Sequence, residues 1–162
     1  MPAFAPSLQP VRQLGGITLI ELMIAVAIIA ILATIALPGY LDSLRKSRRA
    51  EAFNSMATVQ QAQERYRSNN AGYASTLALL GITSTTSTPK GYYTLSVVTE
   101  PSTIATTYTV SAVAVSGTSQ AQDGNCRRLA VRASGGQISY AGCASCGLVP
   151  ADFSETNACW TR

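Results

Sequence analysis

The chain has 162 residues and a formal charge of +4, with charged side chains making up only 12% of it and no histidine. This length allows one modest domain beyond a single long helix. The lack of histidine removes most general acid–base mechanisms and the commonest metal ligand, so catalysis starts at a disadvantage, and we predict no metal and no cofactor.

One apolar run dominates the N-terminal part of the chain. From Ile17 to Leu37 there are 21 residues, and Glu21 is the only ionisable one among them. At about 1.5 Å per residue, a helix of that length matches the ~30 Å hydrocarbon core of a bilayer, so we predict a membrane-spanning helix. A carboxylate there costs about 2.5 to 3.5 kcal/mol on insertion scales, and Glu21 is therefore expected to have a partner or a function.

Two simpler interpretations of the run are a plain signal anchor and a secretory signal peptide that is cut inside it. A signal peptide has an apolar region of about 7 to 15 residues, which is shorter than this one. A plain anchor gains nothing from a glutamate near its start.

The residues around Glu21 form the motif Gly16-Ile-Thr-Leu-Ile-Glu-Leu22. This motif resembles the N-terminal signature of type IV pilins and pseudopilins. The resemblance implies that a prepilin peptidase cuts between Gly16 and Ile17 and methylates Ile17, a position where Phe or Met is usual. It also implies that Glu21 meets the N-terminal ammonium of a neighbouring subunit during assembly, and that the helix kinks or loosens at Pro38.

The resemblance divides the chain into a leader that is removed (1–16), the transmembrane half of a long helix (17–41), its amphipathic half (42–70) and a head (71–162). It implies a single-pass protein of the inner membrane with a periplasmic head, which later enters an extracellular filament of pilin subunits. Four cysteines after residue 125 favour the same side, where oxidation is permitted. The positive-inside rule disagrees, because four basic residues follow the span. They are Arg45, Lys46, Arg48 and Arg49.

The helical pattern continues beyond Pro38. No Gly or Pro interrupts the chain from Leu41 to Asn70, and mostly apolar side chains recur at steps of three and four. The recurring positions are Ala52, Met56, Val59, Gln63 and Tyr66, with Phe53 beside them. We predict one helix from about Ile17 to Asn69 whose second half carries the head. The basic residues at its middle resemble the corresponding region of PilE-type minor pilins, or they form an ordinary solvated face.

The head is predicted to contain an antiparallel sheet. Turn-forming residues end the helix, and a short helical turn (76–80) and a polar loop (84–89) follow. The alternation typical of half-buried strands then covers 92–98, 108–115, 128–132 and, after a Gly-Gly turn, 137–140. Strands after a helix favour the α+β class, so the expected fold is the type IV pilin fold, a long helix packed on a small antiparallel sheet.

The cysteines at positions 126, 143, 146 and 159 allow more than one pairing. Structural zinc sites usually combine two close pairs of ligands, whereas here one close pair is flanked by two distant cysteines. A redox Cys-x-x-Cys needs a helix N-terminus, which residues 142–150 do not resemble. In the resembling minor pilins, a disulfide joins a cysteine at the start of a late strand to one beside a C-terminal tryptophan. That resemblance implies the pairs Cys126 with Cys159 and Cys143 with Cys146.

The resemblance implies a structural subunit of a type IV pilus and not an enzyme. Specifically, it implies a PilE-type minor pilin that supports filament assembly, adhesion and twitching motility. A major pilin is the alternative within the same class, and abundance in sheared pili separates the two. A type II secretion pseudopilin is disfavoured, because the acidic residues that would bind calcium are scattered at Asp123, Asp152 and Glu155.

A function of a different class is the capture of DNA for uptake. Minor pilins that bind DNA exist in this family, and the candidate contacts are Arg127, Arg128 and Arg132, with Lys90. Alternation along the strand predicts Arg128 and Arg132 on one face and Arg127 on the other. The simpler interpretation is an ordinary soluble surface, because a basic stripe with several interleaved aromatic residues would have argued more strongly for nucleic acid.

Overall fold

The computed structural model describes residues 16–82 and 87–160. Its first element is α1, Leu19–Asn69, a helix of 51 residues. The side-chain oxygen of Thr18 accepts a hydrogen bond from the backbone N–H of Glu21 at 3.2 Å, which makes Thr18 the N-cap. This cap explains why α1 begins at Leu19 and not, as predicted, at Ile17. Of the predicted leader, only Gly16 lies within the described residues.

The chain divides into two compact units between Gly39 and Tyr40. In the described residues, the first unit consists of the apolar beginning of α1 and the three residues that precede it. By length and composition, α1 qualifies as a helix that can cross a membrane. The second unit contains the rest of α1 and the head.

The head is built on a four-stranded antiparallel sheet in the order β1-β2-β3-β4. Its strands are β1 Tyr93–Val98, β2 Thr107–Ala114, β3 Arg128–Ser134 and β4 Gln137–Cys143. The predicted α+β class and the order of helix and strands are confirmed.

The hairpin between β3 and β4 makes both strands longer than predicted. Gly135 and Gly136 have φ values of 56° and 85°, which a two-residue hairpin turn requires and which other residues rarely adopt. This turn pairs Ser134 with Gln137, and the ladder then continues to Arg128 opposite Cys143.

One hydrophobic core joins the second half of α1 to the inner face of the sheet. Ala52, Met56 and Val59 of α1 are buried in it, at the helical spacing that the sequence predicted, while Tyr66 is only half-buried. The strands contribute Tyr93, Leu95, Tyr108, Val110 and Leu129, among others. Gln63 is also fully buried, but its amide is satisfied because Nε2 donates to the carbonyl of Ala74 at 2.8 Å and Oε1 accepts from the Ala74 N–H at 2.9 Å.

The connection from α1 to β1 is irregular. It contains a 3-10 turn at Ala78–Leu80, shorter than the predicted helical turn. The predicted polar loop lies partly outside the described residues, which resume at Ser87 with an isolated bridge to Thr94.

Two disulfides hold the C-terminal part of the head. The predicted bond between Cys126 and Cys159 is confirmed, and Cys143 is bonded to Cys146 in a small ring after β4. Gly142 allows the C-terminal segment to approach the sheet, because a Cβ at that position would lie 2.4 Å from the Cβ of Cys159.

The neighbouring Trp160 fastens the same segment to the helix and the sheet. Its indole Nε1 donates to the carbonyl of Ala141 at 2.9 Å, and its ring stacks on Phe53 of α1 with centroids 4.4 Å apart. Such an aromatic pair contributes about 0.5 to 1.5 kcal/mol beyond the area that it buries.

The two disulfides are expected to differ in their effect on stability. The bond from Cys126 to Cys159 spans 33 positions, for which chain entropy gives about 3.5 to 4 kcal/mol, whereas the ring from Cys143 to Cys146 gives at most about 2 kcal/mol. Denaturant unfolding of the full chain in detergent should therefore show the larger loss when the first pair is replaced by serine. The matched control replaces the second pair, and an equal loss in both variants would contradict the loop-length explanation.

Candidate functional site

The segment that the sequence assigns to processing begins at Gly16. Gly16, Ile17 and Thr18 precede the helix and are exposed, and Ile17 retains 75% of its possible exposure. The peptide bond between Gly16 and Ile17 thus lies on exposed, non-helical backbone just before the cap of α1. A peptidase that needs a non-helical substrate can reach this bond.

Glu21 lies in the first turn of α1 and is exposed. In the part of the chain that the structure describes, its carboxylate makes no ion pair. The positive end of the helix dipole stabilises a carboxylate there by about 0.3 to 1 kcal/mol. That is less than the ~2.5 to 3.5 kcal/mol that membrane insertion costs, so the dipole alone does not balance the charge.

No other described part of the chain covers the apolar side chains around Glu21. Large apolar residues from Leu19 to Ile35 are exposed by more than half, and they occupy all sides of α1. A helix that is apolar all round requires lipid or other apolar helices around it.

Pro38 lies inside α1, which continues through it. Because proline has no N–H, the carbonyl of Thr34 lacks its usual helical donor. A kink or loosening at Pro38 stays a prediction.

The basic residues in the middle of α1 have specific partners. Arg49 donates from Nε and Nη2 to the two carboxylate oxygens of Asp123, at 2.7 and 2.8 Å. Arg48 lies over the ring of Tyr92, 4.4 Å from its centroid, and also donates to the hydroxyl of Ser119. The interpretation of this segment as a solvated face is therefore wrong for Arg48 and Arg49.

Asp123 is the centre of a buried polar network that the sequence analysis missed. It is 2% exposed and also accepts hydrogen bonds from the backbone N–H of Cys126 at 3.1 Å and from the amide of Gln120 at 3.1 Å. Burial acts to raise the pKa of Asp123, but the hydrogen bonds from Arg49 and Cys126 and the charge of Arg49 outweigh it, and the pKa lies below 3.8. No local sequence signal distinguishes this aspartate from the other scattered acids.

The same network affects Tyr93, whose hydroxyl accepts a hydrogen bond from Gln120 at 2.7 Å. Burial and the negative charge of Asp123 raise the pKa of Tyr93 to about 12, so its neutral form is strongly favoured.

Arg127 and Arg128 lie together against the ring that Cys143 and Cys146 close. Arg127 Nε donates to the carbonyl of Ala144 at 3.1 Å, and Arg128 Nη1 donates to the carbonyl of Cys146 at 2.6 Å. Both arginines line one surface recess. The expectation that they lie apart is wrong, because Arg127 precedes β3 and strand alternation does not set its direction.

Arg132 stands apart from this pair. It lies farther along β3, opposite Thr109 on one side and Ser139 on the other, about 13 Å along the strand from Arg128. It lines a different recess. Lys90 precedes β1, which is separated from β3 by β2, and its backbone N–H donates to Glu51 at 2.7 Å. The predicted nucleic-acid contacts therefore do not form one cluster.

The described residues offer little for metal or thiol chemistry. They contain no group of three or more histidine, cysteine, aspartate or glutamate side chains placed to hold a metal ion. All four cysteine sulfurs are in disulfides, which leaves no described thiol for zinc binding or redox exchange.

Two protein-family models match the chain. Residues 13–37 match the model described as "Prokaryotic N-terminal methylation motif". Residues 38–130, more than half of the chain, match the model described as "Type IV minor pilin ComP, DNA uptake sequence receptor".

Individual curated proteins are also similar to this chain. The fimbrial protein EcpC of Eikenella corrodens is 45% identical over 83 residues, which cover 51% of this chain and 52% of that protein. The type IV major pilin protein PilE1 of Neisseria gonorrhoeae is 35% identical over 98 residues, which cover 60% of this chain and 54% of that protein. The chain thus spans about half the length of these relatives.

The Asp123 network predicts a loss of stability in acid. Because the folded-state pKa lies below the ordinary value, the stabilisation is fully present above about pH 5 and is lost as the pH falls through the folded-state pKa, below 3.8. We expect Asp123→Asn to lower the free energy of unfolding at neutral pH by about 3 kcal/mol and to flatten its dependence on pH below 5. Denaturant unfolding at several pH values measures both effects.

The matched control for this prediction is Asp42→Asn. Asp42 forms an exposed pair with Arg45, at 2.8 Å, and its side chain is 69% exposed. Its replacement should change stability by no more than about 0.5 kcal/mol. Equal losses of stability in the two variants would mean that the buried Arg49–Asp123 pair contributes no more to folding than an exposed ion pair.

Proposed function

This chain belongs to the type IV pilin family, and we propose that it is a structural subunit of a type IV pilus, of the PilE-type minor pilin kind. The observation that carries the proposal is Glu21, whose carboxylate forms no ion pair with any described residue and lies in the first turn of an exposed, all-round apolar helix. That arrangement is unfavourable in an isolated chain and favourable where a cation from another subunit meets it.

Before assembly, the chain is inserted in the inner membrane with its head on the periplasmic side. A prepilin peptidase removes residues 1–16 and methylates Ile17. The cut creates a positive N-terminal ammonium at the start of an apolar helix that also carries Glu21. Each subunit then offers one cation and one carboxylate, and the two charges of neighbouring subunits can neutralise each other inside the extracellular filament.

A minor role is favoured over a major one by the family model that covers residues 38–130, whose description names a minor pilin. The relatives described above include a major pilin, and a major role is the alternative within the same class. A minor pilin forms a small fraction of the protein in sheared pili, whereas a major pilin forms most of it. Support for adhesion and twitching motility belongs to this proposal, since both depend on the assembled filament.

DNA binding is the second candidate function. The description of the family model names a DNA uptake sequence receptor, and Arg127 and Arg128 present two adjacent guanidinium groups that fixed carbonyls hold in place. Arginines positioned in this way suit contacts to phosphate oxygens. In this candidate interface, Arg132 is a separate contact.

Replacement of Glu21 tests the filament proposal. Glu21→Ala should leave the chain in the membrane, because the cost of inserting a charge disappears, but should reduce its incorporation into filaments by about tenfold or more. Immunodetection in membrane and sheared-pilus fractions measures both quantities. Asp42→Ala, an exposed acid on the same helix, is the control and should incorporate normally. Normal incorporation of the Glu21 variant would show that this carboxylate is not needed for filament assembly.

The DNA proposal is tested by titrating duplex DNA into the full chain in detergent at several salt concentrations. Binding should weaken steeply with salt, and replacing Arg127 and Arg128 by glutamine should reduce the slope of log affinity against log salt by about 2. Arg65→Gln removes one positive charge from an exposed position of α1, and this control should leave the slope nearly unchanged. An unchanged slope in the double variant would remove these two residues from any DNA interface.

A further inference from the structure

The outer face of the sheet, opposite the core, carries a recess that is separate from the one lined by Arg127 and Arg128. Its volume is about 260 Å³, and we call it the outer recess. Thr107, Thr109 and Ser111 of β2 and Arg132 of β3 line it from the sheet. The C-terminal segment covers it with Leu148 and Phe153, and Glu100 lies at its edge between β1 and β2.

Arg132 is the unusual group in the outer recess. It is half-buried, yet its guanidinium makes no hydrogen bond or ion pair with any residue that the structure describes. A partly desolvated guanidinium normally finds a partner, because its five N–H donors lose water when they are covered. The planar fork of donors suits a carboxylate, which it binds through two parallel hydrogen bonds.

The hydroxyl groups beside Arg132 can also form hydrogen bonds with a ligand. Thr109 lies directly opposite Arg132 in the strand register, and its hydroxyl makes no hydrogen bond with any described residue. The hydroxyl of Ser111 is 2.7 Å from that of Ser96, and the hydroxyl of Thr107 is 3.1 Å from that of Ser134. A hydroxyl has one donor and two acceptor sites, so each of these pairs can accept a further bond.

The wall opposite the strands is apolar. Leu148 has a φ of 56°, and it is the one residue other than glycine in the described chain with a positive φ. A leucine is held in that conformation only when its surroundings compensate for the strain, and such residues concentrate at functional sites. Phe153 next to it supplies an aromatic side chain against which an apolar ligand face can pack.

We propose that the outer recess binds one acidic sugar residue, with its carboxylate on Arg132, its hydroxyls on Thr109 and Glu100, and its apolar C–H face against Phe153. The single guanidinium matches a single negative charge, while Glu100 at the edge opposes a dianion such as a phosphate monoester. The volume lies below the ~300 to 1,000 Å³ of sites for drug-sized ligands, which limits the occupant to one ring. The filament subunit thereby carries a site for the terminal acidic sugar of a surface glycan.

The test is a binding measurement on the full chain in detergent micelles, by calorimetry or ligand-observed NMR. The probes are glucuronate, galacturonate and mannuronate, each compared with its neutral parent sugar, and acetate serves as a carboxylate without a ring. We expect at least one of the acidic sugars to bind at least tenfold more tightly than both its neutral parent and acetate. Equal affinity for acid and parent, equal affinity for acetate, or no binding by any acidic sugar would overturn the proposal.

Variants assign the binding to the outer recess. Arg132→Gln should weaken binding of the acidic sugar at least tenfold and leave the weak binding of the neutral parent sugar unchanged. Arg132→Lys keeps the charge but loses the planar fork of donors, so its affinity for the acidic sugar should lie between those of the unchanged chain and Arg132→Gln. Arg127→Gln changes an arginine of the other recess and should have no effect. Loss of binding in Arg127→Gln, or full binding in Arg132→Gln, would place the ligand elsewhere. These binding results do not test whether the chain enters filaments, so a failure of the sugar proposal would leave the filament proposal standing.

Discussion

The bidentate ion pair between Arg49 of α1 and Asp123 is the interaction on which the architecture of the head depends. Both groups are largely withdrawn from water, so each needs the other, and removal of either leaves an uncompensated charge. Asp123 also accepts the N–H of Cys126, which places that residue for its disulfide with Cys159. Trp160 follows directly and packs on Phe53 of α1. One buried carboxylate thus links the helix, the loop before β3 and the C-terminal segment.

The beginning of α1 obeys a different constraint, because its apolar surface has no cover in the described chain. In the proposed function, lipid would cover this surface before assembly and the helices of other subunits would cover it in the filament. The charge of Glu21 is costly in both environments until a cation compensates it. Two of the four basic residues after the span, Arg48 and Arg49, also find an explanation in the fold, since they bind partners in the head. Their position therefore does not argue against a head outside the membrane.

Features with a local pattern were predictable from the sequence, and features that join distant segments were not. The spacing of Ala52, Met56 and Val59 identified the buried face of α1, and the Gly-Gly turn identified the hairpin between β3 and β4. The pairing of Arg49 with Asp123 joins residues 74 positions apart, and nothing near either residue indicates it. The isolation of Arg132 likewise depends on how the C-terminal segment crosses the sheet. The family resemblance, and not the spacing, supplied the disulfide pairing.

The central claim is that this chain is processed and assembled as a type IV pilin. Mass spectrometry of the native N-terminus tests it most directly, because the cut and the methyl group are both visible in the mass of one peptide. The account predicts a mature chain that begins at N-methylated Ile17. An intact leader, or a cut within the apolar run beyond Glu21, would contradict it, because the first leaves no free ammonium at Ile17 and the second removes the carboxylate that such an ammonium would meet.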